Sequence, residues 1–316
     1  MARFIVRRLA SMVVVLFIVS VLTFLIFEAI PNGNPALRMA GRTATQANIE
    51  AVEKAYGFNR PIYIQYLKTM DQIFTGKITS YTTQVNVLSQ IKQDLPVTLS
   101  LVLGAFVLWI IVSVLLGLIG GYRAGGKIDA AITVVNFTGI SAPVFVIGDI
   151  FIYLLAFKTH LFPASGYVSL SDPLSWADHL IMPWVSLAIL YIGIYSQVLR
   201  SSVVDTLAED YVRTARAKGL SSRQIAIRHV LRTSLIPIVA LSGLDIASVL
   251  GGSAILTEVV FDLPGIGYYA GQSISSLDVP PVLVITILGA FAVVAFSAIG
   301  DVLYALLDPR IRLASS

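Results

Sequence analysis

The sequence contains no cysteine. That excludes a disulfide framework and a thiolate metal site, and it leaves the redox compartment unreadable. Histidine is nearly as scarce: His160, His179 and His229 lie far apart without ligand spacing, so no metal site is expected. No serine sits in a nucleophile motif, and no catalytic residue is expected. Charge is the third shortage. Asp, Glu, Lys and Arg make up 13% of the 316 residues, against about 25% in a soluble globular domain. A surface so poor in charge does not stay wet. What fills the gap is apolar, with 56% hydrophobic residues and a mean hydropathy of +0.83, so lipid must be the solvent for most of the chain.

A bilayer core about 30 Å thick needs roughly 20 apolar helical residues to cross it. Six stretches qualify: Leu9–Ile30, Pro96–Gly121, Ala130–Phe157, Leu180–Leu199, Leu235–Leu256 and Val282–Leu307. The expected class is an all-α polytopic membrane protein with six transmembrane helices and a small helical external segment. Pro31 is placed to stop the first span, Asp94 and Pro96 to open the second, and Asp278, Pro280 and Pro281 to open the sixth. Proline suits a first helical turn, where its missing N–H would be unpaired anyway. Arg3, Arg7 and Arg8 give the first span the look of a cleaved signal. A signal's apolar core is only about 7–15 residues long, and this run fills Leu9–Ile30 with no small-x-small site after it. It reads as a retained span.

The basic residues sort by side. Arg3, Arg7, Arg8, Arg123, Lys127, Arg200, Arg213, Arg216, Lys218, Arg223, Arg228, Arg232, Arg310 and Arg312 fall on one. The other has only Lys158 in its short loops; its remaining cations lie in the long 31–95 segment, which counts little for orientation. Both termini are therefore expected in the cytoplasm. On this reading the chain divides into a cytoplasmic N-terminus with the first span (1–30), an external helical segment (31–95), a five-span core (96–307) with cytoplasmic helices at 201–234, and a cytoplasmic tail (308–316).

The external segment is too long for a plain connector. Thr45 to Phe58 reads as a helix with Ile49, Val52 and Tyr56 on one face. A second begins at Pro61 and carries Ile64, Leu67, Met70, Ile73 and Phe74 at helical spacing, and a third short one starts at Asn86. Two uses are open: a cap that packs its apolar stripes on the spans, and a docking surface for an external partner.

Ser201 to Leu235 is the most informative stretch. Asp205, Glu209 and Asp210 come early in its first helix and Arg213, Arg216 and Lys218 late, which complements the helix dipole. Gly219 supplies a left-handed residue to end the helix. Ser221 and Gln224 then have capping-box spacing, with Leu220 and Ile225 placed as a hydrophobic staple. A second helix carries Arg223, Arg228 and Arg232. The pattern is helix, sharp turn, helix. A loop held only to anionic lipid and a DNA-binding helix-turn-helix are the rival readings. The second is disfavoured by a tether between two spans with no dimer element, and the first needs no such capping. A rigid lever for a cytoplasmic partner fits best.

These residues resemble the inner-membrane permease subunits of dipeptide and oligopeptide ABC importers. The likeness rests on Glu209-Asp210-Tyr211-Val212-Arg213-Thr214-Ala215-Arg216-Ala217-Lys218-Gly219-Leu220, on Arg228-His229-Val230-Leu231-Arg232, and on Pro237. It extends to Arg7-Arg8-Leu9, Gly57-Phe58-Asn59-Arg60-Pro61, Gln65-Tyr66-Leu67, Leu95-Pro96-Val97-Thr98-Leu99 and Phe162-Pro163-Ala164-Ser165-Gly166. Thr257-Glu258-Val259-Val260-Phe261, Pro264-Gly265-Ile266-Gly267 and Leu307-Asp308-Pro309-Arg310-Ile311 complete it, in order along nearly the whole chain. The resemblance implies a type I importer fold in a bacterial or archaeal cytoplasmic membrane. It implies half of a translocation pathway, paired with a second similar permease, and an external binding protein that delivers substrate. It also implies two cytoplasmic ATPase subunits that carry the ATP and Mg²⁺, leaving no cofactor in this chain. ATPase coupling would fall on Glu209, Tyr211, Arg213, Ala215, Arg216, Lys218, Gly219 and Leu220. In importers generally the signature reads Glu-Ala-Ala-x-x-x-Gly. Ala215 and Gly219 match it, whereas Arg213 stands in place of the Glu.

Gly121-Tyr122-Arg123-Ala124-Gly125-Gly126-Lys127-Ile128 nearly reads as a nucleotide-binding loop. Ile128 stands where a Ser or Thr hydroxyl is needed, and a span precedes it where a strand is required, so no nucleotide is expected there. Asp149, Asp245 and Asp301 fall in or near spans. A mid-bilayer carboxylate costs about 2.5–3.5 kcal/mol on insertion scales and usually faces a cavity or partner. Asp301 fits the family pattern and reads as structural. Asp149 and Asp245 fall where members usually have uncharged residues, which makes them candidate translocation-pathway residues as well as candidates for structural pairing. Glu258, Phe261, Pro264 and Gly267, at the outer end of the fifth span, read either as an external gate in a sharply bent loop or as a rigid turn. Rival functions are a permease for nickel or another small solute, an ion-coupled secondary transporter, and a membrane scaffold.

Overall fold

The structure, a computed structural model, describes residues 2–29, 36, 39 and 45–307. The expected stop at Pro31 and the tail 308–316 lie outside these residues, as do the side chains of Arg3, Arg7, Arg8 and Asp301. Among the described residues regular structure is helical, apart from one isolated bridge between Thr79 and Asn86. Helix α1 covers Ala2–Phe24 and continues as a π segment over Leu25–Ala29; α2 is Gln46–Tyr56, α3 Ile62–Phe74 and α4 Val87–Tyr122. Next come α5 (Lys127–Ser141), α6 (Val144–Phe151, with a π segment Ile152–Lys158) and α7 (Pro173–Ala208). Two short helices follow: α8 (Asp210–Ala217) and α9 (Ser222–Ile225, prolonged by a π segment Ala226–Leu231 and by Arg232–Ser234). The rest are α10 (Ile236–Ser248, with a π segment Val249–Ser253), α11 (Ala254–Val260), α12 (Ile266–Ser275) and α13 (Val279–Leu307).

Among the described residues, four helical stretches are long and apolar enough to cross a bilayer: Ala10–Phe27, Val87–Tyr122, Pro173–Ala208 and Val279–Gly300. Two bent pairs raise the number to six. In the first, α5 and α6 meet at 99°, because Pro143 pushes Ala142 out of the helical region to φ −90°, ψ 127°. The expected straight span Ala130–Phe157 is thus broken. In the second, residues 222–234 and 236–252 meet at 47° around Leu235, with Pro237 in the first turn of α10.

Two expected boundaries move. α4 starts at Val87, with Asn86 Oδ1 accepting from the Ser89 amide at 2.9 Å. The short helix expected at Asn86 is therefore the beginning of the second span, and Pro96 lies inside that helix rather than at its start. α7 starts at Pro173, where Asp172 caps it by accepting from the Ser175 amide and hydroxyl. Those two donors hold the Asp172 carboxyl below its usual range. Both α4 and α7 have 36 residues, about 54 Å at 1.5 Å per residue.

The chain falls into two compact units, Met1–Thr98 with Pro264–Val294, and Leu99–Leu263 with Ala295–Ser316. The first is organised around Ile78, Val87, Ile91 and Val284, flanked by Ile73, Leu88, Ile266, Tyr269 and Ile285. Asp278, buried just before α13, accepts from the Ser80 hydroxyl and from the Tyr81 and Thr82 amides, the Tyr81 bond measuring 2.8 Å. It thereby pins the 80–82 loop. Burial, with Asp278 and Asp94 nearby, pushes the Tyr269 phenol up to about 12. α3 has no fully buried residue and packs on this unit through half-buried side chains, Ile73 against the cluster and Tyr66 against Phe24 of α1.

The second unit is organised around α7, whose buried face includes Leu187, Tyr191, Tyr195, Ser196, Leu199 and Val203. Trp109 stacks on Tyr191 with ring centroids 4.5 Å apart, and Trp184 Nε1 donates to the Ser100 carbonyl at 2.9 Å. α4 approaches α7 closely through Gly117 and Gly121. A Cβ at Gly117 would lie 2.8 Å from Leu199 Cβ, and one at Gly121 2.7 Å from Val203 Cβ. Small residues four apart let membrane helices meet backbone to backbone. Gly121→Val is expected to lower unfolding stability in detergent by about 1–3 kcal/mol through overpacking. Gly252→Ala, with open space around its Cβ, is the matched control. Thermal melts that fall equally for the two variants would contradict the close packing.

Candidate functional site

The elbow between α7 and α10 is built from local chemistry. α7 ends where Glu209 turns extended, at φ −67° and ψ 145°, and α8 starts on the next residue. Glu209 makes no side-chain cap bond, and Asp205 belongs to α7, so only Asp210 of the expected acidic trio lies in the first turn of α8. Val212 and Ala215 are buried, while Glu209, Tyr211, Arg213, Arg216 and Lys218 are exposed. Gly219 closes the helix at φ +79° with nothing within 4 Å of where a Cβ would sit, so its lack of a side chain serves the backbone turn alone. Leu220, half-buried, donates its amide to the Ala215 carbonyl at 3.4 Å. Ser221 and Gln224 form the full capping box: Gln224 N donates to Ser221 Oγ at 3.3 Å, and Ser221 N to Gln224 Oε1 at 3.0 Å.

Two contacts tie the elbow back on itself. Tyr211 OH donates to Thr233 Oγ1 at 3.3 Å, and Ser234 Oγ donates to Thr206 Oγ1 at 3.2 Å in a buried setting. The Arg213–Asp210 pair at 3.5 Å is largely exposed on both sides and adds little stability. The buried stripe anchors the elbow, and its cationic side is left to solvent.

Above the elbow, Arg200 grips Asp129 with both Nε and Nη2, the second contact measuring 2.6 Å. Asp129 also accepts from the Gly125 amide at 2.8 Å. A forked Arg–carboxylate pair is geometrically specific as well as strong. It joins the 123–127 turn to α7 and occupies a backbone amide of the stretch that resembled a nucleotide-binding loop. In the sequence Arg200 stands out only as a topological charge.

The two candidate pathway carboxylates are placed differently. Asp245 on α10 accepts from the buried Tyr195 hydroxyl at 2.6 Å. Asp149 on α6 is exposed, among exposed Phe145, Val146, Ile150 and Tyr153. No hydrogen bond or ion pair joins the two among the described residues. Beside Tyr195, Asn136 Nδ2 donates to Ser196 Oγ at 2.6 Å, so α7 carries a short polar seam.

Residues 113–313 match the family model of the binding-protein-dependent transport system inner membrane component, and residues 1–102 match the N-terminal model of the same components. The chain belongs to this permease family. It is similar to a probable peptide ABC transporter permease of Sinorhizobium fredii, 36% identical over 99% of this chain and 100% of the relative. It is also similar to the dipeptide transport system permease of Lactococcus lactis, at 34%, and the oligopeptide transport system permease of Bacillus subtilis, at 35%. Each of these alignments covers 99% of this chain and 100% of the relative. The fold is thus that of an all-α, multi-pass, type I importer-like permease, a transport component that is not itself catalytic.

The four candidate gate residues of the permease split between elements. Glu258 and Phe261 are buried at the end of α11. There the Leu263 amide donates to the Glu258 carbonyl at 2.9 Å, the Gly166 amide donates to the Phe261 carbonyl at 3.2 Å, and Asp262 takes φ +49°. Pro264 is exposed, and Gly267 is buried in the first turn of α12. The chain turns at 261–265, and α12 begins directly after the turn, at Ile266. The missed signal was Gly265 as a helix start, whose next amide, that of Ile266, donates to Thr98 Oγ1 at 2.9 Å.

The elbow yields a direct expectation. Ser221→Ala removes the capping box and is expected to destabilise α9 by about 1 kcal/mol. Amide exchange at Gln224 and Ile225 should then quicken while exchange in α7 is unchanged. Unaltered exchange at Gln224 would show that the box does not hold the turn.

Proposed function

We propose that this permease is half of the membrane pathway of an ATP-driven importer of short peptides. In this reading it pairs with a second, similar permease and receives substrate from an external binding protein. Two cytoplasmic ATPase subunits, which carry the ATP and Mg²⁺, seat on the elbow. Both termini are cytoplasmic, in keeping with the distribution of basic residues. The observation that carries the reading is the elbow itself: α8, with a buried stripe and an exposed cationic side, continues from the end of a 36-residue helix that also forms the core of its unit. Closure of the ATPases against Tyr211, Arg213, Arg216 and Lys218 would move α7 as a body. Hinge-and-shear motion of that kind exchanges outward and inward openings, with nucleotide shifting the populations.

Peptides are favoured as cargo by the named transport roles of the relatives in Sinorhizobium, Lactococcus and Bacillus. Asp245, held by Tyr195, and Asp149, exposed on a helix that begins at a sharp break, are the pathway carboxylates of this reading. Glu258, Phe261, Pro264 and Gly267 form its external gate.

One reconstitution tests the assignment. The permease, expressed with its partners, is expected to co-purify with ATPase subunits and to support ATP-dependent uptake of a tripeptide into vesicles, with no uptake of Ni²⁺. Asp245→Asn should lower tripeptide uptake about tenfold, the equivalent of roughly 1.4 kcal/mol at the barrier, while leaving the co-purified ATPase unchanged. Uptake of Ni²⁺ without peptide would reassign the cargo. A permease that carries peptide without any ATPase would overturn the pump.

A further inference from the structure

Helix α3 is built inside out for a helix in water. With successive residues turned by roughly 100°, Tyr63, Leu67, Met70 and Phe74 fall within an arc of about 60°. Tyr63, Leu67 and Phe74 are 65%, 62% and 87% exposed. Gln65, Lys68, Thr69 and Gln72 are half-buried on the other side, and Asp71 is exposed on the shoulder of the stripe. Gln65 Nε2 donates to the carbonyls of Phe58 and Arg60, at 2.9 and 2.7 Å, and Lys68 Nζ donates to the Tyr56 carbonyl at 2.8 Å. A soluble cap would bury the first set and hydrate the second.

The depth of the helix is fixed by Tyr66, on the shoulder of the stripe. Its hydroxyl is 2.8 Å from Ser20 Oγ, and its ring meets Phe24 edge-on at 5.4 Å. Phe24 lies near the end of the apolar window Ala10–Phe27 of α1, and Ser20 lies closer to its middle. At 1.5 Å per residue, Phe24 and Ser20 are about 4–11 Å short of its last residue. Helices that lie in a membrane surface bury their apolar face about 5–10 Å into the boundary between headgroups and acyl chains. On α1 itself the large apolar residues Phe17, Leu22 and Ile26 are also exposed.

We propose that α3 is an interfacial helix, with Tyr63, Leu67, Met70 and Phe74 seated in the leaflet at the far end of the first span from the N-terminus. The occupant of the stripe is lipid. Tyr63 suits that depth, as an aromatic ring with a polar tip. The consequence is a positioning role: the loop after α3 carries Ser80, whose hydroxyl bonds the buried Asp278, so the bilayer surface and the start of α13 share one rigid support.

The absence of cysteine from the chain makes site-directed spin labelling direct. Nitroxides are placed at Leu67→Cys and Phe74→Cys, with Leu22→Cys as the lipid reference and Glu50→Cys as the water reference. The assembled complex, its other subunits cleared of accessible cysteines, is reconstituted in phosphatidylcholine vesicles. Collision with oxygen is compared with collision with a water-soluble nickel chelate. At positions 67 and 74 the oxygen-to-nickel ratio is expected to exceed that at Glu50 by roughly threefold or more and to approach that at Leu22. A ratio matching Glu50 would overturn the proposal. So would labels shielded from both reagents, which would mean that a protein partner covers the stripe.

Discussion

A helix about 54 Å long cannot be hidden in a hydrocarbon layer about 30 Å thick. That is the condition imposed by α7, continuous from Pro173 to Ala208. Its middle is the packed core of one unit, with Tyr191, Tyr195 and Leu199 buried, and its end stands clear of the apolar layer. Backbone hydrogen bonds within the helix satisfy its interior amides and carbonyls, as lipid requires of any spanning segment, except at Pro183, which has no amide to give to the preceding turn. The same bonds stiffen the helix between its protruding end and its buried middle.

Everything around that end serves to fix it. The fork of Arg200 on Asp129 ties α7 to the 123–127 turn, and the Gly125 amide completes the grip. Gly117 and Gly121 let α4 lie directly against α7 just above. Below, the elbow doubles back through Gly219 and Ser221 and is stitched to α7 by Ser234 and Thr206. Removing one partner of the Arg200–Asp129 pair would leave the other's charge without its fork, which is the expensive way to break such a contact.

What could be read in advance was what local chemistry writes into a few neighbouring residues. The six apolar runs, the left-handed Gly219, the Ser221–Gln224 box and the opening of the last helix after Asp278 all depend on residues close in sequence. The elbow was legible for that reason, and so was the family. The misplaced boundaries have local causes too. Pro96 looked like a start because proline usually is one, whereas here Asn86 had already begun the helix. Asp172 followed by Pro173 is a cap with a first-turn proline, and it was passed over because the apolar run begins only later. The long-range pairings inside each unit are not legible in this way: Arg200 with Asp129, Tyr195 with Asp245, and Asp278 with Ser80 lie 71, 50 and 198 residues apart. No spacing rule links such positions. The outward-facing stripe of α3 was visible as a stripe, but its direction was not, because helical periodicity says which residues share a face and not what that face meets.

The central claim is that α7 transmits motion from the elbow to the membrane core as one rigid piece. Val204 lies between Arg200 and Thr206 and is 36% exposed, so a proline there would act mainly on the backbone, costing about 3 kcal/mol and breaking helix continuity. In the reconstituted complex, Val204→Pro is expected to keep ATP hydrolysis within about twofold while uptake falls roughly tenfold or more, with Val204→Ala close to wild type in both. Hydrolysis and uptake that both persist in Val204→Pro, or that fall together in strict proportion, would contradict the lever.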